Sequence, residues 1–176
     1  TSMTTALCTF DTTRAGIIIT TGGTDQNQAI IAPHLDTNQT AWQTVPWGTE
    51  NSTIWECVVT TAASIADIKL WAGLKLTNDQ LIVTDANQAY FKFQTDATNS
   101  EAFTDFTLLH FVHSIADTDY ISALPITVAA DTQYHLKIVI DSNRKASIYV
   151  NGIQYNVTST SGSTGGTAVT TGTDKT

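Results

Sequence analysis

The stretch Y-H-L-K-I-V-I-D-S-N-R-K-A-S-I-Y-V-N-G, residues Tyr134 to Gly152, decides the fold. Apolar and polar residues alternate on both sides of the segment Asp141–Arg144, which is typical of two β-strands that each bury one face. The residues that would face a core are Tyr134, Leu136, Ile138 and Ile140 before the break, and Ala146, Ile148 and Val150 after it. Asp, Ser and Asn favour turns because their short side chains bond the local backbone, so we predict an antiparallel hairpin. Asn151-Gly152 predicts a second tight turn.

The rest of the chain repeats this pattern of short strands separated by turn residues. Alternating or apolar runs predict further strands at 16–20, 28–32, 54–61, 68–76, 80–84, 89–94 and 106–113, with a turn at 117–119. No stretch has the 3.6-residue apolar period of an amphipathic helix. We therefore predict an all-β fold, an antiparallel β-sandwich of jelly-roll topology with little helix.

The predicted domain organisation is a single β-sandwich over residues 1–157 followed by a low-complexity segment. Residues 1–14 are polar and Thr-rich and predict a short strand or an N-terminal arm. Residues 158–176 are rich in Thr, Ser and Gly, and no apolar side chain there is larger than Val169. Such a composition buries little apolar area, so it predicts a flexible tail or a segment that a partner orders.

Charge and composition exclude several function classes. The formal net charge of -8, from 16 acidic and 8 basic residues, argues against a nucleic-acid or anionic-membrane surface, which would need clustered Lys and Arg. The apolar runs are too short to cross a bilayer, which predicts a soluble protein. Cys8 and Cys57 belong to no disulfide framework and are not spaced with the histidines as a ligand set. We predict no metal and no cofactor.

The sequence also lacks the patterns of catalytic sites. Glu56 is the only Glu inside an apolar strand, and no E-x-D-x-E pattern places two carboxylates on one strand face. His110 and His113 are predicted on opposite faces of their strand, and there is no G-x-S-x-G motif. We therefore predict that the protein is not an enzyme and has no catalytic residues.

Two segments carry a family resemblance. The D-x-x-x-x-x-x-x-Y-V-N-G pattern at 141–152 resembles the penultimate hairpin of concanavalin A-like, laminin G-like jelly rolls. The segments I-A-D-I-K-L-W-A-G-L-K-L at 65–76 and D-A-N-Q-A-Y-F-K-F at 85–93 resemble a version of this domain in tailed-phage structural proteins. Members usually have another apolar strand after the Y-V-N-G hairpin, whereas here the Thr/Ser/Gly-rich segment follows. The resemblance implies either that the sequence is a fragment or that another chain covers the open edge.

The resemblance implies a non-enzymatic structural protein at the surface of a virion, either a capsid decoration (cement) protein or a fibre-associated module. Its partners would be other virion proteins, namely capsid or fibre subunits, and further copies of itself in a homo-oligomer. The alternative is a carbohydrate-binding adhesion module that recognises host-surface glycans. The candidate binding residues for either role are aromatic: Trp42, Trp47, Trp71 and Tyr149. Trp71 and Tyr149 are predicted on the strand faces opposite the aliphatic rows.

Overall fold

The structure, a computed structural model, describes residues 8–13, 16–21, 29, 31, 53–75, 77, 82–95, 106–141 and 146–157. The chain divides into two compact units, Thr1–Asn38 and Gln39–Thr176. Trp42, Trp47 and the predicted tail at 158–176 lie outside the described residues, as do residues 142–145 of the first predicted turn.

The first unit contains a two-stranded antiparallel hairpin of β1 (Cys8–Asp11) and β2 (Gly16–Ile19). The strand predicted at 16–20 is confirmed as β2, which pairs with β1. The predicted Gly-rich turn lies outside the described residues, and of the strand predicted at 28–32 only Ala29 and Ile31 are described, neither of them in a strand. The local reason that β2 turns back onto β1 is an Asx turn, in which the Thr13 N–H donates to Asp11 Oδ1 at 2.8 Å.

The second unit is an antiparallel β-sandwich, which confirms the predicted all-β class. Its strands are β3 (Thr53–Thr60), β4 (Lys69–Leu74), β5 (Gln88–Gln94), β6 (Leu108–Ile115), β7 (Thr118–Thr127), β8 (Gln133–Ile140), β9 (Ala146–Val150) and β10 (Ile153–Tyr155). The first sheet has the order β10-β9-β8-β3 and the second sheet has the order β4-β5-β6-β7. The jelly-roll topology stays a prediction.

The core lies between the inward faces of the two sheets. Its fully buried side chains include Leu136, Ile138 and Ile148 from the first sheet, and Phe91, Phe111 and Leu124 from the second. The rings of Phe91 and Phe111 meet edge to face with their centroids 5.4 Å apart. Each buried side chain of this size stabilises the fold by roughly 1.5–3 kcal/mol through the hydrophobic effect.

The hairpin that decided the fold is present as β8 and β9, with Leu136 opposite Val150 and Ile140 opposite Ala146. Asn151 and Gly152 both have positive φ, 51° and 79°, as a type I′ turn requires. This turn leads into β10, which pairs with β9. The expectation that no strand follows the Y-V-N-G motif is therefore wrong, although β10 has only 3 residues.

Two further local predictions are wrong, and tertiary contacts explain both. Residues 82–84 form a 3-10 turn instead of a strand, and the buried side-chain amide of Gln88 donates to the Ile82 carbonyl at 2.6 Å. The turn between β6 and β7 lies at Ala116–Asp117, which both have positive φ, and not at 117–119. The Asp117 N–H donates to the Ala86 carbonyl at 3.0 Å, which holds the turn at that position.

Gly73 allows β4 to approach β5 closely. A Cβ added at Gly73 would lie 2.5 Å from the Tyr90 Cα and 2.6 Å from the Ala89 carbonyl oxygen. These are backbone atoms that cannot rotate away, so Gly73→Ala forces the two strands apart. We expect this substitution to lower the free energy of unfolding by about 2 kcal/mol, measured by chemical denaturation.

Two glycines serve as controls for this prediction. Gly152 has φ of 79° but open space around its Cα, so Gly152→Ala tests backbone strain alone, expected to cost about 1 kcal/mol. Gly16 also has open space, and Gly16→Ala is expected to leave unfolding of the sandwich unchanged. A Gly73→Ala variant as stable as the Gly16→Ala variant would contradict the close approach of the two strands.

Candidate functional site

The outer face of the first sheet carries a cross-strand row of four polar or aromatic side chains. The strand register places Glu56 opposite Lys137, Lys137 opposite Tyr149, and Tyr149 opposite Gln154. We call these four residues the Glu56 row. Side chains directly opposite each other on one face of a sheet are close enough to interact, so the row is a continuous strip across the sheet.

Charge pairing organises the strip. Glu56 Oε1 contacts His135 Nε2, and Glu56 Oε2 lies 3.8 Å from Lys137 Nζ. The Lys137 ammonium is in turn 6.0 Å from the centre of the Tyr149 ring, within the range of a cation–π contact. The Glu56 and His135 side chains are 45% and 42% exposed, so these ion pairs contribute at most about 1 kcal/mol to stability. The strip therefore presents an aromatic ring and several hydrogen-bonding groups to solvent.

Apolar side chains flank the acidic end of the strip. Ile54 and Val58, on either side of Glu56 in β3, are 59% and 57% exposed. The alternate residues of the same strand, Trp55 and Cys57, pack against the core. An exposed pair of β-branched apolar side chains on a strand at the end of a sheet is the kind of surface that binds other protein chains.

The hairpin of the first unit exposes apolar residues as well. Every residue of β2 is exposed, with Ile17 at 53% and Ile18 at 44%. Phe10 of β1, which pairs with Ile17, is 84% exposed. An isolated two-stranded hairpin is at best marginally stable in water, because it has no sheet or helix on which to bury an apolar face. These side chains therefore favour contact with another surface.

The outer face of the second sheet differs because its polar groups are buried. A connected network joins Asp85 to Lys75 at 2.7 Å, Lys75 to Gln88 at 3.1 Å, Gln88 to Ser114 at 2.7 Å, and Ser114 to Asp119 at 2.6 Å. Antiparallel sheets commonly leave this face solvated. Here the network ties the strands of the second sheet to the 3-10 turn, which is a structural role.

The side chain of Lys92, on the same face, has a lowered pKa. Burial, together with the nearby charges of Lys69 and Lys75, lowers the pKa of Lys92 to about 7. A lysine amine of low pKa is a nucleophile in many active sites. Lys92 is only 1% exposed, so a substrate cannot reach its amine without a rearrangement of the chain.

The structure separates the sequence-predicted binding residues. Trp71 and Tyr149 both lie on outward faces, as predicted, but on different sheets, so they cannot form one site. Trp71 packs against a small buried cluster of Ile82, Tyr90, Val112 and Ile121. Trp71 is therefore partly buried against its own sheet, and Tyr149, which is also partly buried, is part of the Glu56 row.

The surface formed by Ile54, Val58, His135 and Lys137 was not predicted from the sequence. The alternation that indicates this surface is present in the strand I-W-E-C-V-V-T-T. One face of the strand carries Trp55, Cys57 and Val59, and the other face carries Ile54, Glu56 and Val58. Only one of these two faces can be directed towards the core, so the other must be exposed or covered by another surface. The ion pairs with β8 could not be predicted, since they depend on the register between two strands far apart in sequence.

The residues considered for catalysis or metal binding are dispersed. His110 and His113 lie on opposite faces of β6, as predicted, and Cys57 is a free thiol whose pKa burial raises to about 11. Within the part of the chain that the structure describes, no three His, Cys, Asp or Glu side chains converge as a metal site. None of the described segments is a helix with the length and apolar character needed to cross a membrane.

Comparison with protein-family models, curated proteins and solved structures found no match for this chain. The function of this chain is therefore inferred from the chemistry of the surfaces described above.

Proposed function

We propose that this chain is a non-enzymatic structural protein of a phage particle, a capsid decoration protein or a fibre-associated module that binds neighbouring subunits. The observation that carries the binding role is the exposure of all four residues of β2, together with Phe10 beside them. Exposed apolar clusters of this kind are rare on monomeric soluble proteins and favour a protein–protein contact. The particle itself is inferred from the sequence resemblance at 65–76 and 85–93.

The sandwich supports this proposal through its second exposed apolar surface. Ile54 and Val58 lie in a strand at the end of the first sheet, where backbone groups can pair with another chain. A protein that cements a particle needs more than one contact surface, because it must bind neighbours on different sides. The net charge of -8 keeps the free protein soluble before it assembles.

A carbohydrate-binding adhesion module is the second candidate, and the Glu56 row favours it. Sugar recognition combines an aromatic ring with adjacent hydrogen-bonding groups, and Tyr149 has Lys137 and Gln154 on either side. In this case a glycan array should show specific binding that Tyr149→Ala abolishes. Under the structural proposal the array gives no specific signal.

The test of the structural proposal is the composition of the particle. Particles would be purified on a density gradient from cells that carry the coding sequence, and their proteins quantified by mass spectrometry. We expect the chain to sediment with the particles at a fixed ratio to the major capsid protein. Recovery of the chain only in the soluble fraction would overturn the proposal.

The variant Ile18→Lys tests the role of β2 in the same preparation. A charge placed in the exposed apolar cluster should reduce the amount of chain bound to particles at least about tenfold, the effect of 1.4 kcal/mol. Thr118→Lys is the matched control, because it adds the same charge at an exposed position of β7. Equal retention of both variants would contradict the involvement of β2.

A further inference from the structure

Within the described part of the chain, strand β3 has an open edge, which is a side without a partner strand. The Thr61 N–H donates to the Thr132 carbonyl at 3.0 Å, so the odd-numbered residues of β3 direct their backbone groups towards β8. Hydrogen-bonded pairs alternate along an antiparallel ladder. The backbone groups of Ile54, Glu56, Val58 and Thr60 therefore point away from β8. Among the described strands, none pairs with this side of β3.

The other sheet ends are protected in ways that β3 is not. β10 has only 3 residues, β7 contains Pro125, and β4 contains Gly73 in a six-residue strand that begins at Lys69. Short length, proline and lysine are the features by which proteins prevent edge pairing. β3 has 8 residues, no proline and no glycine, and it exposes Ile54 and Val58. Among the described strands at the ends of the two sandwich sheets, β3 is thus the one suited to accept another strand.

We propose that the edge of β3 pairs antiparallel with β3 of a second copy of this chain, which joins the first sheets of two sandwiches into one continuous sheet. A symmetric pair of this kind uses the same surface on both copies and closes on itself. The partner strand has the same length and the same alternation of outward-facing and core-facing residues. Outward-facing residues of one copy therefore lie beside outward-facing residues of the other copy, and core-facing residues lie beside core-facing residues. The pairing places the exposed Ile54 and Val58 of each copy beside outward side chains of the other copy.

Charge selects the register of this pairing. Residues directly opposite each other in an antiparallel pair face the same side of the sheet. The two-fold axis of the pair therefore lies midway between the two copies of one residue of β3. An axis at Glu56 would place two Glu56 carboxylates directly opposite each other, which destabilises a sheet. An axis at Cys57 places Glu56 opposite Val58 and Ile54 opposite Thr60 of the second copy. The proposed register is therefore the one with Cys57 at the axis.

The core-facing residues of β3 also favour the register with Cys57 at the axis. Trp55, Cys57 and Val59 are only partly buried at the end of the core in one copy. With the axis at Cys57, Trp55 meets Val59 of the second copy and extends the core across the junction. The two Cys57 residues form a non-hydrogen-bonded pair, in which Cα atoms lie about 4.5 Å apart, within the range that a disulfide spans.

This inference rests on the proposed function in one respect, because it names a second copy as the partner of one of the proposed contact surfaces. The two remain separable by experiment. A chain that sediments with particles but shows no β3 pairing retains the proposed function and loses the inference. A chain that pairs through β3 but never sediments with particles retains the inference and loses the proposed function.

The first test is disulfide trapping in the full chain. Diamide oxidises two thiols to a disulfide and takes up their two hydrogens, and the product is read on a non-reducing gel. All variants carry Cys8→Ser, because the chain has a second cysteine that could also be oxidised. We expect a dimer band with Cys8→Ser that dithiothreitol removes and that Cys8→Ser/Cys57→Ser lacks. In this background Glu56→Cys/Cys57→Ser is the register control, and it should give at least about tenfold less dimer because its thiols are off the axis. Equal trapping of both would overturn the register.

The second test blocks the open edge without changing the ladder to β8. Val58→Pro removes an N–H that points to the open edge, and edge strands tolerate proline there. Analytical ultracentrifugation should show a dimer for the wild type and for the matched control Val58→Thr, and a monomer for Val58→Pro. A monomeric wild type, or a Val58→Pro variant that still dimerises, would overturn the proposal. If Val58→Pro does not fold, as judged by circular dichroism, the trapping experiment decides alone.

Discussion

Asp85→Ala is expected to destabilise the sandwich by about 3–5 kcal/mol, because it leaves a buried ammonium without its carboxylate. The Lys75 and Asp85 side chains are 5% and 2% exposed, and Nζ lies 2.7 Å from Oδ2. The same oxygen accepts hydrogen bonds from the Thr77 N–H at 3.2 Å and the Thr77 hydroxyl at 3.1 Å. Removing the carboxylate therefore also leaves these donors unsatisfied. The free energy of unfolding from urea denaturation measures the loss.

Glu56→Ala is the matched control, because it removes one carboxylate from an ion pair on an exposed face. Solvent screens that pair, so its loss should cost no more than about 1 kcal/mol. A second variant identifies the cause of the larger effect. Adding Lys75→Met to Asp85→Ala removes the buried ammonium that has lost this carboxylate and should restore part of the lost stability. Equal effects of Asp85→Ala and Glu56→Ala would contradict the structural role of the buried network.

Acidification is expected to destabilise the sandwich through His113, by about 3 kcal/mol between pH 6.5 and pH 4. The imidazole is 4% exposed on the core side of β6 and stacks on Tyr120, with ring centroids 4.6 Å apart. Phe111 lies on the same side with its ring centroid 5.8 Å away. Within the described structure neither ring nitrogen has a hydrogen-bond partner. Burial lowers the pKa of His113 from its ordinary value of 6.5 to about 4.

The sign of the effect follows from proton binding in the two states. Below pH 6.5 the unfolded chain binds a proton at His113, whereas the folded chain does not until about pH 4. The unfolded state binds more protons across this range, so acid favours it. The contribution of the neutral, buried imidazole is fully present above about pH 6.5 and is lost progressively as the pH falls to about 4.

His113→Leu should remove this part of the pH dependence, because leucine fills the buried position without titrating. Urea denaturation at about pH 7.5 and about pH 4.5 would be compared for the wild type and the variant, so that the titration of carboxylates cancels. His135→Leu is the control, since it removes an imidazole from the exposed face, and the acid destabilisation should persist in it. Parallel pH profiles for the wild type and His113→Leu would show that His113 is not the cause.

Local patterns predicted most of the sandwich strands. β8 and β9 follow from period-2 alternation, and the turn at Asn151–Gly152 follows from two residues that tolerate positive φ. The errors occurred where a distant contact decides between local alternatives. The 3-10 turn at 82–84 depends on the Gln88 amide, and the position of the β6–β7 turn depends on the Ala86 carbonyl. These partners cannot be read from the turn residues themselves.

The candidate site was predicted only in part. Tyr149 lies on an outward face as predicted, because parity along one strand determines which way it points. Trp71 also has the predicted parity, but it is partly buried against the cluster around Ile82 and Tyr90. Parity therefore predicts the side of a sheet that a residue occupies. It does not predict whether that side is covered.

The sequence by itself determined the β class, the core-facing parity of the main strands and the Asn151–Gly152 turn. Each of these depends on the steric and hydrogen-bonding properties of residues close together in the chain. Only the tertiary structure decided that the outer face of the second sheet is buried, that Glu56 pairs with His135 and Lys137, and that β3 lies at the end of the first sheet. The physical reason is that burial, ion pairing and edge position depend on which distant strands meet and in what register.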